Sequence, residues 1–131
     1  MKKKAIAADS DTMQRESFAD YAQETVPGAE VERVYTERDL MARLREDQYS
    51  LVLVACCLDG DYDGPDVVRR IREYERTSGR AELPVYVVSI EPHGEGERRV
   101  RQETTSSGAS GYFHLMPNMM EFQAAVRRHL E

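Results

Sequence analysis

The chain has 131 residues, 40% of them hydrophobic and 32% charged, enough for one layered core and too few for two domains. That composition excludes a disordered chain, and no apolar run approaches the roughly 20 residues that a bilayer-spanning helix needs. The formal charge of −6 makes the nucleic-acid backbone an unfavourable partner; the arginines at 69–72, 98–101 and 127–128 read as solvated helix faces balanced by glutamate.

The opening MKKKAIAADSD turns acidic too early for a signal peptide, and residues 3–8 read as a short strand. DSDTMQRESFADYAQET (9–25) reads as a helix, with Asp9, Ser10 and Asp11 as capping candidates and Met13, Ser17, Tyr21 and Thr25 on one line. Pro27-Gly28 ends it. EVERVY (30–35) alternates charged and apolar residues, as an edge strand does. Thr36 with Asp39 resembles a capping box for a helix in which Leu40, Met41 and Leu44 share a face.

LVLVACC (51–57) and PVYVVSI (84–90) are continuously apolar, the pattern of parallel strands covered by helices on both faces. Neighbouring strand residues point to opposite faces, so Cys56 and Cys57 are expected to fill the two packed sides of the sheet. No disulfide framework is implied, and a cytoplasmic location follows. Between these strands Pro65 sits where the first turn of a helix tolerates it. Val67, Val68, Ile71 and Tyr74 form that helix's stripe, and Gly79 is its stop.

The segment 94–107 is the weakest helix, with Val100 as its one sizeable apolar residue. GYFHL (111–115) is a last short strand. Asn118 with Glu121 reads as the cap of a final helix whose stripe is Phe122, Ala125, Val126, His129 and Leu130. His93, His114 and His129 have no metal-ligand spacing and read as structural or solvent-facing.

Five strands alternating with five helices predict an α/β fold: a doubly wound, five-stranded parallel sheet in the order 2-1-3-4-5, a flavodoxin-like three-layer sandwich. Residues 1–131 form one domain. A final Leu130-Glu131 is also what a cloning junction leaves, so excision from a longer protein stays open at this point. In such sheets ligands meet the crevice beyond the C-terminal strand ends.

At those ends the sequence resembles the response-regulator receiver domains, the CheY-like family, over essentially its whole length. AADSD resembles the family's acidic cluster after the first strand, and LVLVACCLDGDYDG its third strand and following loop, with one extra residue before the Asp-Gly. LPVYVVS fits the fourth strand, placing Ser89 at the hydroxyl position that senses a phosphoryl group. SGASGY places Tyr112 at the switch aromatic. Pro117 fits the proline after the family's lysine and is the cis-proline candidate.

The resemblance also exposes departures. Ala55 stands where the phosphoacceptor aspartate is expected, Ser10 where the second metal acid is, and Leu115 where the lysine is, with Met116 inserted before Pro117. Three carboxylates about 4 Å apart repel by roughly 4 kcal/mol per pair at an effective dielectric near 20, so the full set requires a cation and a lysine. Without the nucleophile that requirement lapses, and a methyl group cannot attack phosphorus. Asp59 lies four residues past Ala55, up to about 13 Å along an extended chain, too far to substitute without refolding the loop.

The expectation is therefore a degenerate receiver, or pseudo-receiver. It is a non-catalytic module of a two-component-type system that signals or binds protein independently of phosphorylation. Its site is the degenerate pocket of Asp9, Ser10, Asp11, Ala55, Ser89 and Leu115. No cofactor is expected, except that Asp9 and Asp11 could retain a weak divalent site for Mg²⁺. The resemblance implies a protein-docking face at residues 97–130, open to a protein partner or a second copy, with no role for nucleic acid or membrane. GYFHLMPNMMEF is also similar to the end of the receiver-like N-terminal wing domain of ornithine, lysine and arginine decarboxylases, which are pyridoxal-phosphate enzymes. An atypical receiver that is still phosphorylated and a flavodoxin-like small-ligand binder are the remaining alternatives.

Two other motifs lose on inspection. DGDYDG opens like a calcium loop, but Arg70 and Pro65 fall where ligands are required and a strand precedes it. A solvated acidic turn at a helix N-terminus accounts for it. HGEGERR (93–99) lacks the glycine pattern and lysine of a phosphate loop.

Overall fold

The computed structural model describes residues 2–9, 17–60, 62–89 and 95–131, with the backbone alone at 95–97 and 116–117. Five strands alternate with five helices: β1 (Lys4–Ala8), α1 (Phe18–Thr25), β2 (Glu30–Val34), α2 (Glu37–Glu46), β3 (Leu51–Ala55), α3 (Gly64–Ser78), β4 (Val85–Ser89), α4 (Glu95–Ser107), β5 (Gly111–His114) and α5 (Leu115–Leu130). The sheet runs β2-β1-β3-β4-β5, every pair parallel, as the alternation predicts.

The strand period of two divides the core. Ala5, Ala7, Leu51, Leu53, Ala55, Tyr86 and Val88 face α1 and α5, where Phe18, Ala22, Phe122 and Val126 meet them. Ile6, Ala8, Val52, Val54, Val85 and Val87 face α2, α3 and α4, against Leu40, Leu44, Val67, Val68, Ile71 and Val100. Fully burying one such large side chain is worth about 1.5–3 kcal/mol. Phe113 packs edge-on against Phe122 at 5.9 Å and 87°, adding about 0.5–1.5 kcal/mol.

The helix ends show which local signals were decisive. Thr36 caps α2 by accepting the Asp39 N–H at 3.1 Å, and Gly79 closes α3 in the left-handed conformation (φ 72°) that glycine adopts at least cost. α1 differs from expectation. Its N-cap is Ser17, whose hydroxyl accepts the Asp20 N–H, and its buried face is Phe18, Ala19 and Ala22. Ser17 thus leaves the predicted stripe, and Asp9 does not cap this helix; Ser10, Asp11 and Met13 lie outside the described residues.

α5 also begins earlier than expected. It follows β5 without a linker, starting at Leu115 with His114 in the cap position, so Asn118 is inside the helix. The physical reason is Leu115, which the core takes up completely (0% exposed). α4 packs through Val100, Thr104 and Ser107, all buried at helical spacing. The two hydroxyls donate back to Val100 O and Thr104 O at 2.6 and 2.7 Å, so a face that reads as polar is internally satisfied.

Candidate functional site

The parallel register brings four of the predicted site residues to one end of the sheet. Ala8 pairs with Val54, Ala55 with Val88, and Ser89 with His114, so Asp9, Ala55, Ser89 and Leu115 all leave the C-terminal strand ends. Asp9 is buried at 4% exposure, its backbone N–H donates to Val34 O at 3.0 Å, and its carboxylate faces the Arg33 guanidinium at 3.5 Å. A cation from β2 therefore stands beside this acid, a partner that the alternating EVERVY pattern did not single out.

Ala55 is 8% exposed and belongs to the α1/α5 side of the core. Its methyl group offers neither a lone pair nor a proton. Ser89 is buried and its side chain bonds to the Cys56 thiol. Leu115 replaces any charge at the fifth strand's end with hydrocarbon. Pro117 lies in the first turn of α5, where its missing N–H costs no helical bond.

β3 ends at Ala55, and the chain then bends. This overturns the expected placement of the cysteines. Cys56 is buried in the α2/α3/α4 side of the core and Cys57 packs, half-buried, against that same side. Strand alternation does not extend to Cys57, and the two sulfurs sit 3.8 Å apart. Burial, first, and the adjacent Cys57 push the Cys56 thiol up to about 12; the Ser89 hydroxyl opposes this.

The acidic turn is built from backbone hydrogen bonds. The Asp63 carboxylate accepts the N–H groups of Leu58 (2.6 Å) and Asp59 (2.9 Å), and Asp59 in turn accepts the Glu37 N–H at 2.9 Å, tying the loop to α2. Asp61 lies outside the described residues. Gly64 brings the start of α3 hard against β3: a Cβ there would lie 2.8 Å from Ala55 O and 3.1 Å from Cys56 Cα. Sequence reading had no signal for that contact beyond an Asp-Gly pair.

Away from this end, Tyr112 carries the Arg101 guanidinium over its ring at 5.4 Å. Arg101, Tyr112, His114, Asn118 and Glu121 line a cavity of about 330 Å³ on the β5 edge, and Met120 of α5 is 83% exposed. His129 accepts or donates to the Tyr86 hydroxyl at 2.9 Å, a structural role; burial, Arg128 and Lys3 hold its pKa below the ordinary value. His93 lies outside the described residues. Among the described residues no group of three or more His, Cys, Asp or Glu side chains could hold a metal, and no helix is long and apolar enough to cross a membrane.

The fold is similar to that of receiver domains. The chain superposes on chemotaxis protein CheY4 of Vibrio cholerae with a TM-score of 0.71, covering 99% of this chain and 100% of that one at 19% identity. A two-component response regulator from Clostridium difficile gives 0.71 over 98% and 95% at 16% identity. The signal receiver domain of a DNA-binding response regulator from Colwellia psychrerythraea gives 0.71 over 96% and 96% at 17% identity. No protein-family model and no curated protein matches the chain. At these identities the likeness defines the fold: a receiver-type, flavodoxin-like sandwich.

Proposed function

We propose that this chain is a pseudo-receiver, a two-component-type signalling module that works through protein contacts without aspartyl phosphorylation. One observation carries the reading: at the C-terminal end of β3, where the receiver resemblance requires a nucleophilic carboxylate, the side chain is the nearly buried methyl of Ala55. The surroundings agree. Asp9 faces Arg33, and Leu115 supplies hydrocarbon in place of a charge clamp.

Output then falls to the face formed by α4, β5 and α5. The Arg101–Tyr112 stack, His114, Asn118, Glu121 and the exposed Met120 give it aromatic, charged and apolar contacts for a protein partner or a second copy. Neither cysteine is disulfide-bonded, which suits the reducing cytoplasm.

Incubation with acetyl phosphate and Mg²⁺, followed by intact-mass measurement, is expected to leave the chain unmodified. A stoichiometric phosphate adduct on any aspartate would end the proposal. Capture of partners on wild type and on a Tyr112→Ala, Met120→Asp variant separately tests the docking face.

A further inference from the structure

Immediately after Ala55, two thiols stand side by side on one side of the sheet. Their sulfurs are 3.8 Å apart, Cys57 is half-buried and reachable, and Cys56 lies just beneath at 6% exposure. Both are held in place. The Tyr62 N–H donates to Cys57 Sγ at 3.3 Å, with Tyr62 itself at φ 55°, a left-handed conformation uncommon for a non-glycine residue. Cys56 is bonded to Ser89. The two thiols thus form a paired soft-donor site on a fixed backbone, whose sulfur chemistry neither core packing nor the docking face requires.

The chemistry narrows what such a pair can take. Adjacent Cα atoms are about 3.8 Å apart across a trans peptide, short of the roughly 4.4–6.8 Å that disulfides span, so direct S–S closure is strained. A single large atom inserted between the sulfurs removes that constraint. Zinc wants four ligands, and no cluster of three or more His, Cys, Asp or Glu ligands exists among the described residues. A centre with two open valences and a strong preference for sulfur matches the donor count.

We infer that Cys56 and Cys57 form a dithiol site for monosubstituted trivalent arsenicals. In the reaction the As=O group of an arsine oxide meets two S–H groups. Two As–S bonds form, the arsenic–oxygen bond breaks, and the oxygen leaves as water with both thiol protons. Arsenic stays trivalent, so no oxidant or reductant is needed. Cys57 attacks first because it is the more accessible of the two. Cys56 closes the ring in a slower step, since burial disfavours its thiolate. This inference rests on the thiol geometry and stands apart from the signalling reading.

Phenylarsine oxide at one equivalent is the probe, read by intact mass and by tryptic mapping. Wild type is expected to give a single adduct bridging both cysteines, stable to excess 2-mercaptoethanol and stripped by a small dithiol. Cys57→Ala and Cys56→Ala should each weaken retention on the order of 100-fold or more, the loss expected when two tethered contacts become one. Far-UV circular dichroism checks both variants; if Cys56→Ala does not fold, Cys57→Ala decides alone. A wild-type adduct that a monothiol removes as readily as from Cys57→Ala would overturn the site, as would stoichiometric zinc binding that competes with the arsenical.

Discussion

The two ends of the sheet treat charge in opposite ways. At the N-terminal end ionic groups are numerous and paired with one another. Lys4 bridges Glu32 and Asp47, Arg43 and the Tyr49 hydroxyl meet Glu32, and Arg80 donates to the last carbonyls of α2 at Leu44 and Arg45. Deepest among them, Arg72 and Glu75 are 9% and 5% exposed. Arg72 donates to Glu75 (2.9 Å), Leu83 O (2.8 Å) and Gly108 O (2.9 Å), while Glu75 accepts the Leu83 N–H at 2.8 Å. At the C-terminal end, among the described residues, the buried strand-end positions hold one carboxylate, Asp9, which faces the Arg33 guanidinium amid alanine, leucine and thiols. Asp59, Asp63 and the Glu37–Arg70 pair lie in the loop and helices around them. The contrast teaches that where the receiver resemblance expects a nucleophilic carboxylate and a lysine, the strand-end positions Ala55 and Leu115 are neutral and buried, while the ion pairs at the opposite end join elements.

Breaking the ion-paired end has the largest expected effect. Arg72→Ala strands a buried carboxylate and unties α3 from the loops before β4 and β5, lowering stability by about 3–5 kcal/mol in urea unfolding. Charging a neutral strand-end position comes next. Ala55→Asp places a second carboxylate in a buried setting near Asp9 with no lysine to meet it, for an expected loss of about 1–3 kcal/mol. The same variant should stay unphosphorylated by acetyl phosphate, because Leu115 still occupies the clamp position. Gly64→Ala forces a methyl against Ala55 O, costing about 1–3 kcal/mol by the same unfolding measurement.

The smallest effect is a pH dependence. His129 has a folded pKa below its ordinary 6.5, so the unfolded chain binds the proton more tightly. Stability is therefore full above 6.5 and declines as pH falls toward the folded value. Thermal melts at pH 7.5 and 5.5 should show a drop that His129→Gln reduces; an unchanged drop would remove His129 as its source.

Much of this was legible in the residues. Two uninterrupted apolar runs separated by a helical stripe dictate central parallel strands, and Thr36, Pro65 and Gly79 punctuate their helices by local sterics and hydrogen bonding alone. What escaped depends on contacts between distant segments. Asn118 and Glu121 carry a valid capping pattern, yet burial of Leu115 starts the helix four residues sooner. The cysteines follow strand alternation only if the strand continues, and Gly64 packing against β3 requires the bend instead. Arg33 is one more charge in an edge strand until the register sets it beside Asp9.

The direct passage from β5 into α5 has a mechanical consequence. With no hinge between His114 and Leu115, and Leu115 anchored in the interior, a load on the edge strand is not absorbed by slack chain. It is delivered to the final helix as a lever is turned at its pivot, so whatever grips the outer rim of the sheet also steers that helix.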